Sequence, residues 1–96
     1  MFDLNYSLQW AAYNGHLEVC QLLIEKGADV RARNDYALRW AAYHNHLEVC
    51  RLLIEKGANI ENAIEKTYLR NTKQTLIKLK IERQRREGAK QNAKRH

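Results

Sequence analysis

Residues 6–30, YSLQWAAYNGHLEVCQLLIEKGADV, return thirty positions later as residues 36–60, YALRWAAYHNHLEVCRLLIEKGANI, with 18 of 25 positions identical. An internal repeat of this length is the signature of a stacked array, in which each unit lays its apolar surface against the next. The exchanges within it are mostly small or polar: Ser7/Ala37, Gln9/Arg39, Asn14/His44, Gly15/Asn45 and Gln21/Arg51. That is the tolerance expected of positions that meet solvent.

Each block reads as two short antiparallel helices. Asn5 and Asp35 are placed to act as N-caps, their side-chain oxygens accepting first-turn N–H groups, and Leu8, Trp10, Ala11 and Ala12 supply the first helix with apolar content. Gly15 and Asn45 then stop it, since both residue types tolerate the left-handed backbone that a helix end commonly needs. The second helix is expected from about Leu17 to Lys26, with Val19, Cys20, Leu22, Leu23 and Ile24 on a broad apolar side and Glu18, Gln21 and Glu25 on the wet one. Gly27 ends it, and Leu47 to Gly57 repeats the arrangement. Ten residues with so wide an apolar stripe do not hold a helix alone in water, so neighbouring units must cover it.

The stretches AAYNGHLEVCQLLIEKGADV (11–30) and AAYHNHLEVCRLLIEKGANI (41–60) resemble the ankyrin repeat, whose motif has two alanines, GH, an acidic residue, an apolar second helix and GAD. The resemblance covers about Tyr6 to Asn62. It implies an all-α solenoid of stacked helix-turn-helix units, with repeats at about 5–34 and 35–62, acting as a non-enzymatic protein-binding module. The short NDYALRWAA form is similar to ankyrin repeats abundant in giant viruses that infect amoebae. By the same resemblance His16 and His46 brace the turn between helices. Trp10 and Trp40 correspond to a buried leucine, which favours core indoles over base-stacking ones.

Two departures from the motif carry structural consequences. The TPLH opening is replaced by Tyr6-Ser7-Leu8-Gln9 and Tyr36-Ala37-Leu38-Arg39, so the threonine-histidine hydrogen-bonding device is missing. The period is also 30 residues instead of 33, and the missing three fall after GAD, where the family projects a β-hairpin finger. That finger is expected to be stunted.

After Asn62 the repeat decays into a terminal cap at 63–81. Ala63 to Arg70 is expected as a degenerate first helix and Asn71 with Gln74 as a capping pair. Leu76, Ile77, Leu79 and Ile81 form the apolar patch of a following helix, with Lys73, Lys78 and Lys80 facing outward. Residues 82–96, ERQRREGAKQNAKRH, hold no large apolar residue and read as frayed helix or flexible tail. With no room before Tyr6 for a capping unit, an unprotected apolar face is expected at that end, inviting self-association.

Charge divides the chain in two. Residues 1–62 carry 6 basic and 8 acidic side chains, and residues 63–96 carry 11 and 3. The first part suits protein recognition, whereas the second could attract phosphate or another polyanion.

Several chemistries are unsupported. No run approaches the roughly 18 apolar residues of a spanning helix, so no membrane-embedded role is expected. Cys20 and Cys50 sit on apolar helical faces with no secretory signal upstream, which suits reduced thiols in an intracellular, cytoplasmic setting, that of a host cell if the origin is viral. His16 with Cys20 and His46 with Cys50 offer two nitrogens and two sulfurs, the kind of set zinc uses. Equivalent positions in stacked units, however, lie on the order of 10 Å apart, beyond the reach of one ion. Glu18 and Glu48 fall on wet faces, no nucleophile stands beside a base, and every glycine is used by a helix stop or the tail. No catalytic, cofactor or metal site is expected.

With the finger stunted, the recognition surface should shift to the first helices and the short connection, nominating Tyr13, Asn14, Arg33, Asn34, Tyr43 and His44; the resemblance places Tyr13 and Tyr43 where the family is variable and contacts its targets. The partner is expected to be a protein, from the host if the origin is viral, with the chain monomeric or weakly self-associating. The alternative is nucleic-acid or other polyanion binding through Arg83, Arg85, Arg86, Lys90, Lys94 and Arg95.

Overall fold

A computed structural model describes the backbone of residues 3–94 and the side chains of residues 3–87. Six helices follow one another: α1 (Leu4–Tyr13), α2 (Leu17–Glu25), α3 (Ala32–Tyr43), α4 (Leu47–Glu55), α5 (Ile60–Lys66) and α6 (Arg70–Lys94). They pair as three helical hairpins. The first helices, α1, α3 and α5, form one layer, α2 and α4 pack as a second, and α6 lies against α3 and α5 to close the stack. No strand occurs among the described residues.

The core follows from helical spacing. Leu8, Ala11 and Ala12 recur at i, i+3 and i+4, so they share one face, and all three are fully buried together with Leu38, Ala41, Cys20, Cys50 and Leu53. Alanine at two of the three inner positions lets α1 and α3 approach closely. The turn that follows works as the sequence predicts: Gly15 (φ 73°) and Asn45 (φ 60°) are left-handed, and the next N–H, of His16 or His46, reaches back to the carbonyl of Ala11 or Ala41 at 2.9 and 2.8 Å.

Asn5 and Asp35 do not cap their helices. Asp3 caps α1, its carboxylate accepting from the N–H groups of Asn5 and Tyr6 at 3.0 and 3.1 Å. Asn5 and Asp35 instead reach 24 residues ahead, to the loop that leaves each second helix. Asn5 Oδ1 accepts from Asp29 N–H at 2.7 Å; Asp35 Oδ1 accepts from Asn59 N–H at 2.8 Å and its Oδ2 from the Asn62 side chain at 2.7 Å. One device thus serves twice, tying each hairpin to the start of the next where a TPLH motif is lacking.

The shortened connection makes a tight turn. Arg31 N–H donates to the Asp29 carboxylate at 2.9 Å, and Arg33, Asn34 and Asp35 all take left-handed backbone (φ 58°), so regular helix in α3 begins at Tyr36. Asn and Asp accept this conformation more readily than other L-residues because their short side chains bond locally. Arg33 has no such aid, and its carbonyl is held by the Arg39 guanidinium at 3.2 Å.

The third hairpin differs from expectation in detail. Helix α5 starts at Ile60, three residues before the expected Ala63, and is capped by Asn59, whose Oδ1 accepts from Asn62 N–H at 3.0 Å. Asn71 and Gln74 are not a capping pair, because α6 already begins at Arg70. The inward stripe of α6 is Thr72, Leu76 and Leu79, at i, i+4 and i+7; Ile77 and Ile81 lie off it and are exposed. The helical backbone runs without a break through residue 82, where a tail was expected to begin, as far as Lys94. Strong helix formers and the absence of proline are enough to extend it.

Candidate functional site

The side chains that the sequence assigns to the core but the fold leaves outside are the two tryptophans. Trp10 lies about 200° around the helix from Leu8 and therefore on the far side from the core. It is 54% exposed, and Trp40 is half-buried. A buried indole ladder is thus ruled out; Leu8 and Leu38 occupy the buried position.

Trp40 joins a strip of aromatic rings along the solvent side of α1 and α3, while Trp10 packs beside His16 at 5.4 Å between ring centroids. Tyr13 lies 5.5 Å from Trp40 between ring centroids and 4.2 Å from His44; Tyr43 lies 5.2 Å from Trp40 and 4.7 Å from His44. Tyr36 continues the strip 5.8 Å beyond Trp40, with the guanidinium groups of Arg33 and Arg39 over its ring at 5.9 and 5.6 Å. Such edge-to-face and cation–π packing fixes the rings without burying them. At its far end the strip opens into a groove of about 230 Å³ lined by Arg39, Trp40, Tyr43, Lys66, Tyr68 and Leu69. Tyr68 is almost wholly exposed, at 94%, and the lining includes two basic side chains and no acidic one.

Of the six expected recognition residues, Tyr13, Tyr43 and His44 come together in this strip, and Arg33 joins through Tyr36. Asn14 is turned back on its own helix, its side-chain amide donating to the Trp10 carbonyl at 2.8 Å, and Asn34 lies exposed in the left-handed turn, its carbonyl accepting from Arg39 Nε at 3.0 Å. Tyr36, Arg39, Trp40, Tyr68 and Leu69, outside the six expected residues, also lie along this strip and groove. The signal for the tryptophans was present, because Leu8, Ala11 and Ala12 already define the buried face of α1. Arg39 bridges repeats, its Nη1 donating to the Lys66 carbonyl at 3.4 Å, and nothing local in the sequence indicates that.

His46 braces the preceding unit, its Nε2 lying 3.1 Å from the Tyr13 carbonyl. Its ring occupies the space where a side chain on Gly15 would project, 2.6 Å from an added Cβ. His44 Nε2 is buried with no hydrogen-bond partner within the protein. Cys20 and Cys50 are fully buried free thiols, and burial pushes their ionisation up to about 11 and about 12. Both stay protonated near neutrality, which suits core packing and not nucleophilic or ligand chemistry. Among the described residues no cluster of three or more His, Cys, Asp or Glu could hold a metal, and no helix is long and apolar enough to cross a membrane.

The basic segment is less uniform than its composition suggests. Arg83 is paired with Glu87 at 3.1 Å, and Glu82 with Arg51 of α4 at 3.3 Å. Arg85 and Arg86 are exposed. The side chains of Lys90 and Lys94, and the whole of Arg95, lie outside the described residues.

The family model for ankyrin repeats (3 copies) matches residues 3–64, about two thirds of the chain. The chain belongs to the ankyrin-repeat family. Ankyrin repeats generally serve as protein–protein interaction modules and are generally non-enzymatic. No curated protein and no solved structure gave a match. Within the ankyrin frame the aromatic strip lies on the first helices of the repeats. The connection between repeats is short, with no hairpin finger among the described residues.

Proposed function

We propose that this ankyrin domain binds an extended protein segment across the aromatic strip formed by Tyr13, Trp40, Tyr43 and His44, and into the groove beside Tyr68 and Leu69. The observation that carries the reading is the gathering of exposed aromatic side chains on one face of a rigid scaffold. Tyrosine and tryptophan already held by their neighbours lose little freedom on binding, which is why such rings dominate binding hot spots. Arg39 and Lys66 at the groove suit a segment with acidic residues. Reduced, buried thiols suit an intracellular setting.

The test is partner capture from cells by the Tyr13→Ala/Tyr43→Ala double variant. Capture should fall at least tenfold while cooperative melting persists. Undiminished capture by a folded variant would show that another face binds.

A second reading, polyanion binding through the basic segment, has one observation in its favour. In a helix that continues to Lys94, residues 83, 86, 90 and 94 recur at i, i+3, i+7 and i+11, on one side of the backbone. Arg83→Glu with Arg86→Glu should then weaken binding to duplex DNA and flatten its salt dependence by about 0.9 in log–log slope per lost phosphate contact. An unchanged slope removes this reading.

A further inference from the structure

Helices α2 and α4 differ at one position in nine, Gln21 against Arg51, yet they do not share an environment. Val49 and Leu52 are buried at 1% and 8% exposure, while their counterparts Val19 and Leu22 stand at 42% and 50%. The cause is the neighbour on one side. On α4, Arg51, Ile54 and Glu55 share a cavity with Leu79 and Glu82 of α6. Val49 and Leu52 lie on the opposite side of the helix, toward α2. Among the described residues, no helix lies beside the matching side of α2. Ser7 agrees: it is half-buried, whereas Ala37 at the same position is buried against α1.

We infer that this open face of α2 docks a second copy of the same chain, α2 against α2, in an antiparallel pair about a two-fold axis at Leu22. The charges are the argument for self-pairing over other occupants. In an antiparallel pair centred on Leu22, residue 22 − k faces residue 22 + k, so Glu18 of each copy meets Lys26 of the other. Glu18, Leu22 and Lys26 stand at i, i+4 and i+8 on one side of α2, and all three are exposed. Two identical ion pairs flank a Leu22–Leu22 contact, with Val19 at its edge, the self-complementarity that an isologous interface requires. One nine-residue helix per copy is less than a standard interface offers, so the dimer is transient and dissociates on dilution.

Light scattering or sedimentation of the full chain, from low concentration up to about 1 mM, the weak end of the affinity scale, tests this. The mass should rise from monomer toward dimer and stop there. Leu22→Lys, at a site already half exposed and therefore compatible with folding, should hold the mass at monomer throughout. Glu18→Lys should weaken association severalfold, and Glu18→Lys with Lys26→Glu should restore it. The Tyr13→Ala/Tyr43→Ala variant should dimerise like the parent, because the aromatic strip lies on another face. A constant monomer mass, growth past the dimer, or failure of the charge exchange to restore association would each overturn the inference.

Discussion

Leu22 and Leu52 sit in nearly identical helices, LEVCQLLIE and LEVCRLLIE, and one is half exposed while the other is in the core. The two blocks show that in a stacked array burial belongs to the neighbour and not to the letters. A side chain's energetic weight is therefore set by which units flank it. The same holds for polar positions. Gln21 is exposed, whereas Arg51 at the same place is half-buried and holds Glu48 at 3.1 Å and Glu82 of α6 at 3.3 Å.

The largest break in this parity should come from truncating the paired leucines. Leu52→Ala is expected to cost about 2–3 kcal/mol in urea unfolding and Leu22→Ala no more than about 0.5 kcal/mol. Equal costs would mean the two faces are equally covered in solution.

A smaller contrast is expected at the inter-unit latch. Asp35→Ala removes a fully buried carboxylate, leaving the Asn59 N–H and the Asn62 amide without their acceptor, and should cost about 2 kcal/mol, while Asn5→Ala loses one hydrogen bond in a more exposed place and should cost about 1 kcal/mol. Chemical-denaturation midpoints of the two variants measure the difference.

The turn exchange sharpens the comparison further. Gly15→Asn forces Cβ against the His46 ring and should cost about 1–2 kcal/mol, whereas Asn45→Gly should change stability by only a few tenths, since thirty residues beyond His46 the chain has Leu76 in place of a histidine. Thermal melting resolves the two. Arg51→Ala should cost only about 0.5 kcal/mol, because both of its carboxylate partners are solvent-accessible; raised salt should erase it.

Much of this architecture is legible in the sequence, and for physical reasons. The thirty-residue period, the helix stops at Gly15 and Asn45 and the bounds of α2 and α4 all depend on local spacing and backbone preference. Three expectations differ from the fold. Asn5 and Asp35 have the composition of caps but bond 24 residues away, and no local pattern separates those roles. Trp10 was placed by alignment with a motif leucine, although the spacing of Leu8, Ala11 and Ala12 already turns it outward. Ile77 and Ile81 match Leu76 and Leu79 in hydrophobicity, but helical spacing turns them to the opposite side of α6. Of the aromatic strip, Tyr13, Tyr43 and His44 are legible in the sequence because they end a helix. Tyr68 and Leu69 were missed because they follow a helix whose end the sequence does not mark.

The histidine seated over Gly15 also gives the array a direction of growth. A copy of residues 6–35 could be spliced in ahead of residue 36 any number of times, because each new glycine would leave room for the imidazole above it. A copy of residues 36–65 placed before itself would instead drive an asparagine into that ring. An engineer lengthening this solenoid, or a genome doing so by duplication, would have to extend it with the first block and keep the second for the end.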